Sequence, residues 1–171
     1  DHTGGLIAVL ERNGKRAVYL PTSCPPAMVD RLKSLGAQVT KVERPVEICQ
    51  GVYVIGPDGE QIVEQSLVVT TPKGLVMLVG CSHPGVVPMV KHAKEHLKQD
   101  IYMVCGGMHL MRQPEAEVRR VAEELKKLGV QKCGATHCTG DEAIAVFKHV
   151  FGESYVPMGV GGVIQIGDVT K

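Results

Sequence analysis

The sequence predicts an α/β (α+β) fold in which helices cover β-sheets. In the first third of the 171-residue chain, helical and extended patterns alternate, and the final third repeats this alternation. Between them lies a β-rich stretch whose extended runs are separated by turn sequences. No internal repeat or low-complexity linker interrupts the chain, so we expect one domain over residues 1–171.

The first third is expected to form two helices and two strands. Apolar residues spaced as on one face of a helix begin at Leu6 and stop before Asn13. The run at 16–20 (RAVYL) is typical of a strand. A second helical stripe then ends at Gly36, and residues 38–43 are extended again.

The middle of the chain is expected to form an antiparallel meander. Its extended runs lie at 48–55, 61–70 and 75–79. The sequences GPDG at 56–59 and TPKG at 71–74 are strong turn signals between them. Because the last run (LVMLV) is apolar throughout, we expect that strand to be buried on both faces.

The final third is expected to alternate helices with strands. The clearest amphipathic helix has Pro114 at its start and Gly129 past its end. The helices are expected within 86–97, 115–128 and 144–151, and the strands within 101–105, 132–136 and a glycine-broken region at 155–166.

Composition argues against several classes of partner. The net charge is +1, and the chain has four tyrosines, two phenylalanines and no tryptophan, which disfavours nucleic-acid binding. No apolar run approaches the roughly 20 residues needed to cross a bilayer. We therefore expect a small-molecule substrate and neither nucleic acid nor membrane as a partner. The oligomeric state stays open, with a homodimer as one alternative.

Cysteine usage indicates the compartment. The six cysteines are dispersed, form no C-x-x-C pair and lie mostly in or beside apolar runs. Such a pattern is typical of reduced, buried thiols rather than of a disulfide framework. We therefore expect a cytoplasmic protein.

Four of the seven histidines share one kind of position. His83, His109 and His137 each follow an expected strand, and His2 stands just before an expected helix beside Asp1. In α/β folds, ligands bind beyond the carboxyl ends of strands, so we expect these residues to form a metal site. The other three histidines fall within helices, where solvated surface is expected.

Four short motifs carry a resemblance to a known family. DHTGG at 1–5 is similar to the second half of HxHxDHxGG, the signature of the metallo-β-lactamase fold superfamily. GCSHPG at 80–85, GGMHL at 106–110 and HCTG at 137–140 resemble one branch, the metal-dependent hydrolases or dihydropterin-ribofuranosylaminobenzene 5′-phosphate synthase-like proteins. The resemblance spans the chain and implies an αββα sandwich, here without its first strands.

The resemblance implies metal ligands. Asp1, His2 and His137 would hold one ion, and His83 would be the third ligand of another. The two remaining ligands of that ion, the HxH histidines, are expected before Asp1 in a longer enzyme. No aspartate follows the strand ending at 105–107, where many relatives carry a bridging one, and His109 is the nearest replacement, as a ligand or a substrate contact. Zinc, iron and manganese all suit such donors, as one or two ions.

The function implied by the resemblance is hydrolysis. Zinc with three protein ligands keeps a place for water and lowers the pKa of that water to about 7. Metal-bound hydroxide would attack an ester or phosphoester, related to pterin or phosphate chemistry, with Asp1 and His109 as candidate catalytic residues. Thr139 and Gly140, opening a helix, are candidate substrate-binding residues because helix amino ends bind phosphate.

Two points stay open at this stage. The alternative function is a non-catalytic metal- or ligand-binding module that retains the fold with an incomplete site. Cys81 and Cys138 flank the expected ligands and either bind metal or pack beside the site as thiols, the interpretation that we prefer. A nucleotide-binding domain is disfavoured because neither GxGxxG nor a Walker lysine is present.

Overall fold

The computed structural model describes residues 2–167, which form two β-sheets flanked by helices, as the sequence predicts. The elements in chain order are α1 (Leu6–Asn13), β1 (Ala17–Pro21), α2 (Pro26–Ser34), β2 (Gln38–Val42), β3 (Val46–Cys49), β4 (Val52–Asp58), β5 (Glu64–Thr71), β6 (Gly74–Val79), α3 (Val86–Leu97), β7 (Ile101–Gly107), α4 (Glu115–Lys127), β8 (Lys132–Thr136) and α5 (Asp141–Phe151). Within the described part of the chain, none of the helices has the length and apolar character of a membrane span.

The smaller sheet is a parallel pair of β1 and β2, connected by α2. This connection is a βαβ unit, the arrangement that alternating strand and helix signals favour. Helices α1 and α2 pack on the pair around a core of their own, which includes Leu10, Leu20 and Leu32. Helix α1 is therefore held by a hydrophobic core that is separate from the core of the larger sheet. The residues just before α1 depend on this smaller core for their position.

The larger sheet has six strands in the order β3-β4-β5-β6-β7-β8. Strands β3 to β6 are antiparallel neighbours, whereas β6, β7 and β8 run parallel. Helices α3, α4 and α5 cover one face over a core that includes Met77, Val104 and Phe147. On the other face, Met103 and Cys105 pack with Met158 of the carboxyl-terminal segment.

The parallel strands bring three loops to one edge of this sheet. Val79 of β6 pairs with Gly106 of β7, and Gly107 pairs with Thr136 of β8. The three strands run in the same direction, and their last residues pair with one another. The loops that follow them are therefore neighbours. This edge is where the sequence places three of the four expected site histidines.

The meander differs from the prediction at two turns. The expected strand at 48–55 is two strands, because a turn around Gly51, with a φ of +73°, folds β3 back on β4. The backbone N–H of Gly51 donates to the Glu47 carboxylate at 2.9 Å and stabilises that turn. Residues 56–58 of the turn expected at 56–59 instead belong to β4, whose pairing with β5 is irregular between Ile55 and Asp58. Proline cannot donate to a ladder, so such irregularities accommodate it.

Two further expectations about strands are wrong. Strand β6 is not buried on both faces along its length, since Leu78 is exposed while Leu75 and Met77 are fully buried. The region 155–166 contains no strand and pairs with β8 only through a single bridge between Tyr155 and Cys133. Its glycines interrupt the extended pattern, and the segment instead covers a sheet face through a few apolar side chains.

Candidate metal centre

The four expected histidines meet at the edge formed by the three parallel strands. His83 lies in the loop after β6, His109 follows β7, and His137 begins a short 3-10 helix directly after β8. His2 approaches from the residues before α1. All four are exposed, whereas Cys81 beneath them is 7% exposed. Asp1, the expected ligand and catalytic residue, lies outside the described residues.

The first group of donors comprises His2, Cys81 and His137. Their ligand atoms all lie within 4.8 Å of one another. Nε2 of His2 is 3.0 Å from Sγ of Cys81, although 79 positions separate the two residues. The rings of His2 and His137 are edge-on, with centroids 5.1 Å apart and planes at 77°.

The second group comprises Cys81, His83 and His109. Their ligand atoms also lie within 4.8 Å of one another. The rings of His83 and His109 have centroids 4.2 Å apart. His83 thus lies in a different donor group from His2 and His137. The resemblance likewise implies that these residues serve two different ions. The structure also brings His109 beside His83. The ligand roles themselves stay predictions.

The chemistry of these donors fits a transition metal such as zinc. Imidazole nitrogen binds zinc at about 2.0–2.1 Å and thiolate sulfur at about 2.3 Å, so tetrahedral geometry separates such donors by about 3.5 Å. The observed separations, bounded by 4.8 Å, are close to this arrangement. Three protein donors also leave a fourth position open in each group.

The site backbone is held in an uncommon conformation at three places. Ser82, His109 and His137 have φ values of 60°, 47° and 54°, in the left-handed region that glycine prefers. Such a residue costs of order 1–3 kcal/mol and persists only where its surroundings enforce it. Each of the three strand-end loops contains at least one such residue, and the loop after β7 contains a second, Arg112, with a φ of 70°. Strained residues of this kind cluster at functional sites.

Close packing of glycines holds the loops together. The N–H of Gly107 donates to the carbonyl of Gly80 at 2.8 Å, and the Ser82 hydroxyl donates to the carbonyl of Gly107 at 2.7 Å. A Cβ at Gly107 would lie 2.6 Å from Sγ of Cys138 and 3.2 Å from Cα of Cys81. Only glycine fits here, so the loops after β6 and β8 approach each other across the end of β7.

Glu64, at the start of β5, is a site residue that the sequence analysis missed. Its carboxylate accepts the backbone N–H groups of Ser82 at 2.8 Å and His83 at 3.2 Å, and it also pairs with Nδ1 of His83. This pairing leaves Nε2 as the His83 nitrogen for an ion. No local signal reveals the role, because the partners lie 18 and 19 positions away.

The structure gives Thr139, an expected substrate-binding residue, a structural role. Its side chain is fully buried, and its hydroxyl accepts the N–H of Met108 at 3.0 Å and donates to the carbonyl of Thr136 at 2.6 Å. In addition, the first turn of α5 carries Asp141 and Glu142, whose charges disfavour phosphate. Thr139 therefore connects two loops of the site, and substrate contacts at Thr139 and Gly140 stay predictions.

The surroundings of His92 and of Cys81 add to the description of this part of the chain. His92, expected on solvated helix surface, pairs through Nδ1 with the Asp58 carboxylate at 2.7 Å. Burial, followed by contact with Cys138, raises the pKa of the Cys81 thiol to about 12. Without a metal, that thiol is protonated at neutral pH.

Comparison with solved structures identifies the fold. A crystal structure described as a metal-dependent hydrolase of the β-lactamase superfamily superposes on the chain with a TM-score of 0.79 and 25% sequence identity, covering 93% of this chain and 74% of that one. The chain has the metallo-β-lactamase fold. The resemblance inferred from the four motifs is therefore confirmed at the level of this superfamily's fold.

A sequence comparison agrees with the metallo-β-lactamase fold assignment. A protein of Methanocaldococcus jannaschii named 7,8-dihydropterin-6-methyl-4-(β-D-ribofuranosyl)-aminobenzene-5′-phosphate synthase is 27% identical over 210 residues, covering 96% of this chain and 71% of that protein. No family model matches the chain. The named relative corresponds to the branch that the motifs GCSHPG, GGMHL and HCTG resemble.

Proposed function

We propose that the chain acts as a metal-dependent hydrolase at the carboxyl-terminal edge of β6, β7 and β8. The observation that carries this proposal is the convergence of two groups of nitrogen and sulfur donors at that edge. Their members come from four separate segments of the chain, and the fold is one in which a solved neighbour is a metal-dependent hydrolase. A chance cluster of surface histidines would not be expected to show this convergence.

In this proposal each histidine has a defined part. His2 and His137 hold one ion, and His83 and His109 hold a second, with Asp1 as an additional ligand that also orients water. A bound metal supplies Lewis-acid chemistry and lowers the pKa of a coordinated water. The exposed position of the rings leaves the open side of the site accessible to an ester or phosphoester.

A groove beside His83 and His109 supports a substrate with both polar and apolar parts. The groove has a volume of about 510 Å³ and includes Ile62, Met89 and Gln61 in its lining. This volume lies within the usual range for small-molecule sites. Because the Methanocaldococcus relative is named for a dihydropterin phosphate compound, we propose a pterin- or phosphate-bearing ester as the substrate class.

The proposal is tested by metal-dependent turnover of aryl phosphomonoesters, phosphodiesters and lactones. Activity should disappear with a chelator and return with zinc or manganese. His137→Ala should lower it by more than about 100-fold, since loss of even an outer partner of a ligand costs 10–100-fold. His149→Ala, which changes an exposed histidine on α5, is the matched control and should leave it unchanged.

The alternative function makes a different prediction in the same experiment. A non-catalytic binding module would bind metal and show no turnover of any of these substrates. Turnover that persists in His137→Ala would contradict the proposed site and would indicate that hydrolysis takes place elsewhere in the chain.

The remaining expectations about partners and location are also proposals. A cytoplasmic location is supported by the six cysteines, which are all free in the described part of the chain. A small-molecule substrate, without nucleic acid or membrane as partner, is proposed from composition and charge. A homodimer remains one alternative for assembly.

A further inference from the structure

Cys81 is the residue that both donor groups share among residues 2–167. Its thiol is buried at 7% exposure, whereas the histidines of both groups are exposed around it. Sγ lies 3.0 Å from Nε2 of His2 on one side, and within 4.8 Å of the donor atoms of His83 and His109 on the other. The sulfur therefore lies between two places where an ion fits.

The backbone holds Cys81 in this position. The preceding residue, Gly80, accepts the N–H of Gly107 at 2.8 Å, and the carbonyl of Cys81 itself accepts the Cys138 thiol at 3.5 Å. The following residue, Ser82, donates its hydroxyl to the carbonyl of Gly107 and its N–H to the Glu64 carboxylate. Movement of Cys81 out of the site would break contacts to three other segments.

Charge explains why a thiolate is needed at this point. Imidazole ligands are neutral, so four histidines, even together with the one negative charge of the proposed ligand Asp1, do not offset the charge of two divalent ions. The loop after β7, residues 108–114, contains no aspartate or glutamate that could lie between the groups. The nearby Glu64 carboxylate already accepts two backbone N–H groups and pairs with His83. Within the two donor groups of the described chain, Cys81 is the residue able to supply negative charge.

We propose that Cys81 is a thiolate ligand shared by two ions, one held with His2 and His137 and the other with His83 and His109. The proposal rests on metal binding by these histidines and departs from the packing role that the sequence favours for this cysteine. Formation of the first sulfur–metal bond releases the thiol proton to solvent. Thiolates are among the preferred ligands of zinc and of other borderline metals.

Cobalt(II) titration of the purified metal-free chain tests the shared ligand. A cobalt–thiolate bond gives an intense charge-transfer absorption in the near ultraviolet, which nitrogen ligands alone do not give. We expect this absorption to grow through two equivalents of cobalt in the wild type. His2→Ala and His109→Ala should each remove one equivalent and leave the absorption of the other. Cys81→Ser should abolish the absorption and weaken cobalt binding by at least about tenfold.

The matched control is Cys138→Ser, which changes a neighbouring thiol that stands in neither donor group of the described residues. It should keep the near-ultraviolet absorption. X-ray absorption spectroscopy of the wild-type complex provides a second measurement that needs no variant, and it should show sulfur among the cobalt ligands even if Cys81→Ser does not fold.

Each contrary outcome has a distinct meaning. Cobalt bound with nitrogen and oxygen ligands only would overturn the role of Cys81 and leave the proposed hydrolase in place. Loss of the absorption in Cys138→Ser, with retention in Cys81→Ser, would show that Cys138 supplies the sulfur ligand and would overturn the proposal. A wild-type chain that binds no cobalt would overturn both this inference and the proposed function.

Discussion

Glu64 pairs with Nδ1 of His83 and also accepts the backbone N–H of that residue at 3.2 Å. One carboxylate therefore fixes both the ring and the main chain of a candidate ligand. Glu64 is largely buried, with 15% of its side chain exposed, so water competes weakly for these contacts. Orientation of a histidine by a carboxylate is a common arrangement at metal sites, where it sets the tautomer and increases ligand basicity.

Replacement of Glu64 should weaken metal binding at His83. Glu64→Gln keeps the size of the side chain but removes the charge that pairs with the ring. We expect affinity for one of the two ions to fall by about 10–100-fold, with the other affinity unchanged. Competition with a chromophoric chelator measures both affinities. Glu43→Gln, at an exposed glutamate, is the control, and equal affinities in all three proteins would contradict the role of Glu64.

The glycine at 107 should be required for stability as well as for the site. In Gly107→Ala the added methyl would lie 2.6 Å from both Sγ of Cys138 and the carbonyl oxygen of Gly80. Overpacking of this kind costs about 1–3 kcal/mol in the free energy of unfolding. Urea denaturation measures the loss. Gly159→Ala, where nothing lies within 4 Å of the added methyl, should be neutral, and an equal loss in both variants would contradict the steric explanation.

The buried hydroxyl of Thr139 is expected to stabilise the fold rather than to bind phosphate. Thr139→Val retains the shape but leaves the N–H of Met108 and the carbonyl of Thr136 without this partner. The expected loss in free energy of unfolding is about 1–3 kcal/mol. Thr40→Val, at an exposed position in β2, is the control. A stable Thr139→Val protein with altered phosphate inhibition would restore the binding role.

Stability should fall in alkaline solution because of Cys133. Burial raises the pKa of this thiol from 9.0 to about 12. Between these values the unfolded chain loses a proton that the folded chain retains, so the free energy of unfolding decreases as pH rises from about 9 towards 12. Cys133→Ala should flatten this decrease, and Cys49→Ala, at an exposed cysteine, should not. Identical slopes in both variants would contradict the assignment to Cys133.

Much of the fold is predictable because its signals are local. Helix α4 begins at Glu115 after Pro114, and β8 covers 132–136, as the sequence indicates. The sequence does not reveal the turn at Gly51, because the apolar residues on both sides of it resemble one strand. The region 155–166 does not form the expected strand, because an extended, apolar segment pairs only where a neighbouring sheet edge is free. That condition depends on the tertiary structure.

The site was predictable where its residues follow a topological rule. His83, His109 and His137 follow parallel strands, and such strand ends meet at one edge of a sheet. The contact of Glu64 with His83 and the place of Cys81 between two donor groups arise from loop packing. Loop packing has no sequence period, so these two contacts could not be predicted.

The central claim is that the edge of β6, β7 and β8 binds metal through these histidines. Elemental analysis of the chain, purified without chelators, measures the transition-metal content directly. The account predicts one to two ions per wild-type chain, a loss of at least one in His137→Ala, and no loss in His149→Ala. A metal-free wild type that takes up no zinc, or equal metal content in all three proteins, would contradict it.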